Sequence, residues 1–193
     1  MATPVKTDEG YVGVKFRTVF DQHEPPRAKC VDELIHWCRR FAEMGFVGKA
    51  MGNLSARTPR GFVITPTGTD PQTITPRQFV EVTGVDMVRL ELHVAGTHEP
   101  SSESMLHDAI YHARPEVRAI FHGHDAELLQ RAEQLGIPVT EREQPYGTPA
   151  LVREVLCVVP GNEFFVMRGH GFVALGGDCA AAGARIEEVF NRL

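Results

Sequence analysis

The sequence predicts one layered α/β domain, and three observations carry that reading. Segments whose apolar residues recur with period 2 alternate with segments whose apolar residues recur at helical spacing, the pattern of strands and helices stacked in layers. No internal repeat, low-complexity tract or linker separates them. The 193 residues with 42% hydrophobic content suffice to bury one core without metal staples or disulfides.

The elements follow in order. Residues 11–20, YVGVKFRTVF, put Val12, Val14, Phe16, Thr18 and Phe20 on one face, as in a half-buried strand, and HEPP at 23–26 breaks it. From Lys29 to Met44, Val31, Leu34, Ile35, Cys38, Phe41 and Ala42 recur at helical spacing, with Gly45 as the stop. GNLSAR (52–57) and FVITP (62–66), closed by TGTD, read as two short strands with glycine-marked turns. TPRQF (75–79) reads as a capped helical turn, and Val85 to Val94 as β-rich. Ser101 to Ala113 is a predicted helix whose early Glu103 suits its positive end. A strand over 117–122, a helix over 125–135 and a short extended piece at 137–140 come next. TPALVREVLCVV follows Gly147 and is not assigned to an element. FFVMRGHGFVALG (164–176) reads as a broken hairpin-like pair, and Ala180 to Asn191 as a closing helix.

The formal net charge is −5, and no run of five like charges occurs, so nothing points to a nucleic-acid groove or an acidic-membrane patch. The first residues lack the apolar stretch of a signal peptide, and no segment approaches the roughly 18 apolar residues of a spanning helix. The expectation is a cytoplasmic protein that binds neither nucleic acid nor membrane. Cys30, Cys38, Cys157 and Cys179 are scattered without a CxxC pair, and are expected to be reduced thiols, buried or half-buried.

Chemistry enters at AIFHGH (119–124). On a strand, residues i and i+2 face the same way, so His122 and His124 can aim imidazole nitrogens at one point, a geometry that suits a metal. Zinc at catalytic sites takes three protein ligands and leaves a position for water or substrate. His170, between glycines in RGHGF, is the best third ligand, and His107 the next. Glu103 lies four residues before His107, and a helical glutamate beside a metal can serve as ligand or general base. Gly52 with Asn53, Thr67 with Gly68, and Ser101 with Ser102 form small polar loops whose N–H and hydroxyl groups can hold a dianion without a lysine cluster, although these are also ordinary turn residues.

Five stretches in order, GNLSAR (52–57), ITPTGTD (64–70), PSSESMLHDAIYHARPEVRAIFHGH (100–124), PYGTPAL (145–151) and RGHGFVALG (168–176), make the chain from about residue 30 to 190 resemble the class II aldolase/adducin family. The resemblance implies a three-layer α/β/α sandwich with a central, largely antiparallel sheet, residues 29–193 forming that domain and 1–28 an N-terminal extension. It further implies a catalytic divalent metal, usually Zn2+, on His122, His124 and His170, with Glu103 as ligand or base. The substrate phosphate would lie on Gly52, Asn53, Thr67, Gly68, Ser101 and Ser102. The implied activity is that of a class II aldolase, cleaving a ketose phosphate through a zinc-stabilised enediolate. A ketose-phosphate dehydratase of the methylthioribulose-1-phosphate type and a non-catalytic adducin-like interaction module are the alternatives. A small-molecule sugar phosphate as partner and a homotetramer are implied as well.

The chain departs from the family's aldolases where these carry a sizeable loop with a proton-donating tyrosine. Only DAELLQRAEQLGIPVTEREQ separates His124 from Pro145, and its first following tyrosine is Tyr146. The family's epimerase has an aspartate where this chain has Glu103, which makes epimerisation a weaker expectation than cleavage. Lys49, just before the GN loop, is expected to be solvated.

Overall fold

The computed structural model describes residues 5–6, 12–13, 16–48 and 51–193. Its elements are β1 (Val5–Lys6), β2 (Val12–Gly13), β3 (Arg17–Gln22), α1 (Cys30–Glu43), β4 (Asn53–Thr58) and β5 (Gly61–Ile64), then a 3-10 turn (Pro76–Gln78). β6 (Val80–Asp86), β7 (Glu91–Ala95), α2 (Ser104–Ala113), β8 (Ala119–Gly123), α3 (Ala126–Arg131), α4 (Pro149–Val158), β9 (Phe164–Met167), β10 (Gly171–Gly176) and α5 (Cys179–Phe190) follow.

β1 and β2 pair with each other, and the remaining eight strands form one sheet in the order β3-β7-β6-β5-β4-β8-β10-β9. Every pair in that sheet is antiparallel except β3 with β7. Alternation along the strands sends successive side chains to opposite layers. Phe121, Phe172 and Ala174 pack with Leu34, Cys38 and Phe41 of α1 and Ala182 and Ile186 of α5. Their neighbours Ile120, Val173 and Leu175 pack with Leu106 and Ile110 of α2 and Leu151 and Val155 of α4. The sheet is thus covered by helices on both faces, the expected three layers.

Differences from the sequence reading have local causes. The 11–20 segment is not one strand: Val12–Gly13 pairs with Val5–Lys6, while Arg17–Gln22 joins the edge of the large sheet. Tyr11, Val14 and Lys15 lie outside the described residues, as does Lys49. Val85 to Val94 is two strands and a turn, because the Asp86 carboxylate accepts the amides of Val88 and Arg89 and folds the chain back. The unassigned TPALVREVLCVV stretch is helix α4, whose Thr148 hydroxyl accepts the Leu151 amide and whose Pro149 opens the first turn. That helix leaves Cys157 exposed, so the expectation of burial fails there, while Cys38 and Cys179 are buried and Cys30 is intermediate.

Candidate active site

His122 is the penultimate residue of β8, opposite Asn53 of β4 on one side and Val173 of β10 on the other. Its Nδ1 lies 2.8 Å from the Phe172 carbonyl, which fixes the ring and turns Nε2 toward the site. His124 follows the strand end, anchored by its amide to the Phe46 carbonyl. His170 occupies the β9–β10 turn. Gly171 beside it is required, since a β-carbon there would lie 2.7 Å from His122 Cε1. The Nε2 atoms of His124 and His170 stand 3.0 and 3.2 Å from that of His122, and one ring nitrogen from each residue falls within 4.8 Å of the others.

Glu103 closes the group from the N-cap of α2. Its amide donates to Ser101 Oγ at 3.3 Å, and its carbonyl accepts the amides of Leu106 and His107. Its carboxylate is buried, with Oε2 2.7 Å from Asn53 Nδ2 and 3.2 Å from His122 Nε2, and Oε1 3.2 Å from His170 Nε2. Burial works to raise its pKa, but the His122 and His170 rings and the Asn53 amide together outweigh burial and hold it below the usual carboxylate range. Burial pushes His122 down, and takes His124 to about 3 together with its two ring neighbours. His170 moves the other way: burial opposes its charge, but its contact with Glu103 and the nearby Glu143 raise it.

These donors fit a divalent cation. Three imidazole nitrogens converge, two of the rings are held neutral, and Glu103 Oε1 is a buried acceptor without a hydrogen bond. Neutral imidazole nitrogen with carboxylate oxygen is a donor set that zinc takes at catalytic sites. His107, the second choice from sequence, is not in the group: its Nδ1 pairs with Ser55 Oγ at 2.7 Å in the core.

A cavity of roughly 810 Å³ opens over the cluster, and Gly52, Asn53, Thr67, Gly68, Ser101 and Ser102 all line it with Glu103, His124 and His170. No lysine or arginine lines it among the described residues. Asn53 and Ser101 are buried and bond to the Glu103 side chain and amide, whereas Gly52 is half-buried and Thr67, Gly68 and Ser102 are exposed at its surface. Two placements lie beyond the sequence reading, which names Tyr146 without a role and does not single out Glu143. Tyr146 lines the same cavity, with its ring 6.3 Å from that of His170. Glu143 lies across Gly169, whose φ of +67° needs glycine and where a β-carbon would stand 2.5 Å from Glu143 Cδ. The signal for both was the shortness of the 125–144 interval, which brings its end onto the metal-facing turn.

Fold and site together define a helix-flanked α/β domain with a three-histidine, one-carboxylate centre. The family profile for the class II aldolase and adducin N-terminal domain matches residues 32–192, and the chain belongs to that family. It is 30% identical over 190 residues to methylthioribulose-1-phosphate dehydratase of Gluconacetobacter diazotrophicus, covering 84% of this chain and 89% of the relative. It is 32% identical over 168 residues to L-fuculose phosphate aldolase of Escherichia coli K12, covering 77% and 73%. Among solved structures, an L-fuculose 1-phosphate aldolase superposes with a TM-score of 0.73 at 24% identity, covering 86% of this chain and 84% of that one, a likeness of fold. No helix among the described residues is long and apolar enough to cross a membrane.

Proposed function

We propose that the chain is a metal-dependent lyase of a ketose 1-phosphate, in which Glu103 moves the proton at carbon and the product forms by loss of water. The observation that carries the lyase reading is the buried, ionised Glu103 carboxylate held 3.2 Å from two of the three clustered histidines. A divalent cation on His122, His124 and His170 supplies Lewis-acid polarisation of the substrate carbonyl.

The chain's own residues do the rest. Glu103 takes the proton from the carbon beside the carbonyl, and its two oxygens allow Asn53 to hold one while the other works. The electron pair left behind expels the hydroxyl on the next carbon. Glu103, now carrying that proton, gives it to the departing hydroxyl as the carbon–oxygen bond breaks, water leaves, and the enol product relaxes to a diketone. Glu143, across Gly169 and close enough to raise His170, is a further carboxylate near the cluster. The dehydratase relative matched over nearly its full length supports dehydration. Aldol cleavage is the second reading, supported by the aldolase relatives and by the Tyr146 phenol in the cavity. The phosphate is held by backbone and hydroxyl groups of Gly52, Thr67, Gly68 and Ser102, with Asn53 and Ser101 behind them. A homotetramer in the cytoplasm belongs to this reading.

Incubating zinc-loaded protein with methylthioribulose 1-phosphate and, separately, L-fuculose 1-phosphate tests it by mass spectrometry and aldehyde trapping. Loss of one water from a substrate supports dehydration; release of an aldehyde with a three-carbon phosphate replaces it with aldol cleavage. Neither product would end the lyase reading.

A further inference from the structure

The layer formed by α2 and the sheet carries a polar line that starts at the site and runs on past the groups the reaction uses. On β4, Asn53, Ser55 and Arg57 share one face at every second residue. Along the start and length of α2, Glu103, His107 and Tyr111 recur at every fourth. The two lines meet rung by rung. Asn53 Nδ2 donates to Glu103 Oε2 at 2.7 Å. Ser55 Oγ lies 2.7 Å from His107 Nδ1 and 2.8 Å from the Tyr111 hydroxyl. Arg57 stacks its guanidinium 4.5 Å from the Tyr111 ring centre and donates to the carbonyls of Tyr111 at 2.7 Å and Val117 at 3.0 Å.

Ser55 and His107 are fully buried and Tyr111 is 2% exposed, in a layer otherwise built from Phe62, Ile64, Leu106 and Ile110. A buried hydroxyl or imidazole that loses its partner is destabilising, whereas apolar groups of the same shape fill such a space without that hazard. His107 Nε2 has no hydrogen-bond partner even here, so the line is not optimised for stability. Its upper end is Glu103. β4 also pairs with β8 at the Asn53–His122 position, so one strand references both the carboxylate and the first histidine.

We propose that Ser55, His107 and Tyr111 are positioning residues that tie the first turn of α2 to β4 and so set the Glu103 carboxylate over the metal-facing histidines. The proposal rests on the reading of Glu103 as the proton-transfer group. His122 lies on β8, His124 just past its end and His170 in the β9–β10 turn, so the three nitrogen donors do not depend on the tie. Displacing a reacting group by about 1 Å lowers rates by up to ~10²-fold, so a small loosening of α2 is enough to be read in turnover.

The test compares zinc-loaded wild type with Ser55→Ala, His107→Phe, His107→Asn and Tyr111→Phe. Asparagine returns a polar atom near the place of Nδ1, whereas phenylalanine keeps ring shape alone. The first readout is amide hydrogen exchange over 103–107 relative to β8, which needs no substrate. The second is kcat and KM on whichever of methylthioribulose 1-phosphate and L-fuculose 1-phosphate the wild type consumes. Expected for Ser55→Ala and His107→Phe are faster exchange confined to 103–107, kcat lower by roughly 10- to 100-fold with KM little changed, and zinc per chain as in wild type. His107→Asn should recover most of the rate. Wild-type exchange at 103–107, or equal losses in His107→Asn and His107→Phe, would overturn the proposal. So would zinc loss and faster exchange throughout the sheet. Where Ser55→Ala does not fold, Tyr111→Phe, which removes one hydroxyl, probes the same tie with a smaller effect. If the wild type consumes neither sugar, the lyase reading fails, while the exchange data still judge the tie.

Discussion

The two faces of the central sheet are built on different principles. On the α1 and α5 side, Trp37, Phe41, Phe46, Phe121, Phe164, Phe172 and Phe190 interlock edge to face and face to face, with ring centroids from 4.1 to 5.9 Å apart. On the α2 and α4 side the apolar packing is interrupted by the Ser55, His107 and Tyr111 line that leads to Glu103. The aromatic layer can lose volume but has no polar network to strand; the α2 layer holds groups whose worth depends on geometry. The interlocked rings are thus gathered on one face and the polar line to Glu103 on the other, with the histidines at the strand ends between them.

Substitutions on the two faces should separate accordingly. Phe41→Ala removes a fully buried ring packed against Trp37, Phe46 and Phe121, and should lower stability by about 3–5 kcal/mol. Urea denaturation reads the loss directly, and folded mutant at low temperature should keep its turnover. If stability changed by less than a third of that, the aromatic layer would not be the main anchor.

Glu103→Gln should do the reverse. The amide keeps the size of the side chain but cannot accept a proton, so turnover should fall by about 10²-fold or more while the urea midpoint moves little. Turnover near wild type would place proton transfer on another group, and Glu143 would be the next carboxylate to replace.

The smallest effect is a pH dependence. Burial, partly opposed by Glu103, takes the His107 pKa from its ordinary value down to about 3 in the folded chain. The unfolded chain then binds a proton that the folded chain refuses, so stability is full above about pH 6.5 and falls as pH drops toward 3. One proton corresponds to a slope of at most about 1.4 kcal/mol per pH unit. Urea midpoints of wild type and His107→Asn between pH 7 and 4.5 should converge with acidification, because the mutant lacks that proton. Parallel curves would mean that His107 titrates alike in both states.

Much of the arrangement was legible in the chain, for reasons that differ by residue. The period-2 and helical-spacing patterns located most elements because each strand and helix has one layer to face. They left 85–94 as one β-rich stretch, since the Asp86 turn that splits it is a local side-chain-to-backbone bond with no hydropathy signal, and left 148–159 unassigned, where α4 is apolar around much of its circumference. His122 and His124 could be paired from strand periodicity alone. The pairing of Asn53 with Glu103 could not, since it depends on how β4 and α2 meet across 50 residues of sequence. Glu143 was hidden for a related reason: its place over Gly169 follows from the end of a short connecting segment, which no periodic pattern reports.

The three-histidine centre is the claim on which everything else depends, and elemental analysis tests it most directly. Wild type purified without chelator, His122→Ala and Glu103→Gln should be measured side by side, with circular dichroism to confirm folding. The arrangement of His122, His124 and His170 predicts close to one divalent metal per chain in wild type, most of it retained in Glu103→Gln, and little in a folded His122→Ala. Equal metal content in wild type and His122→Ala would contradict it.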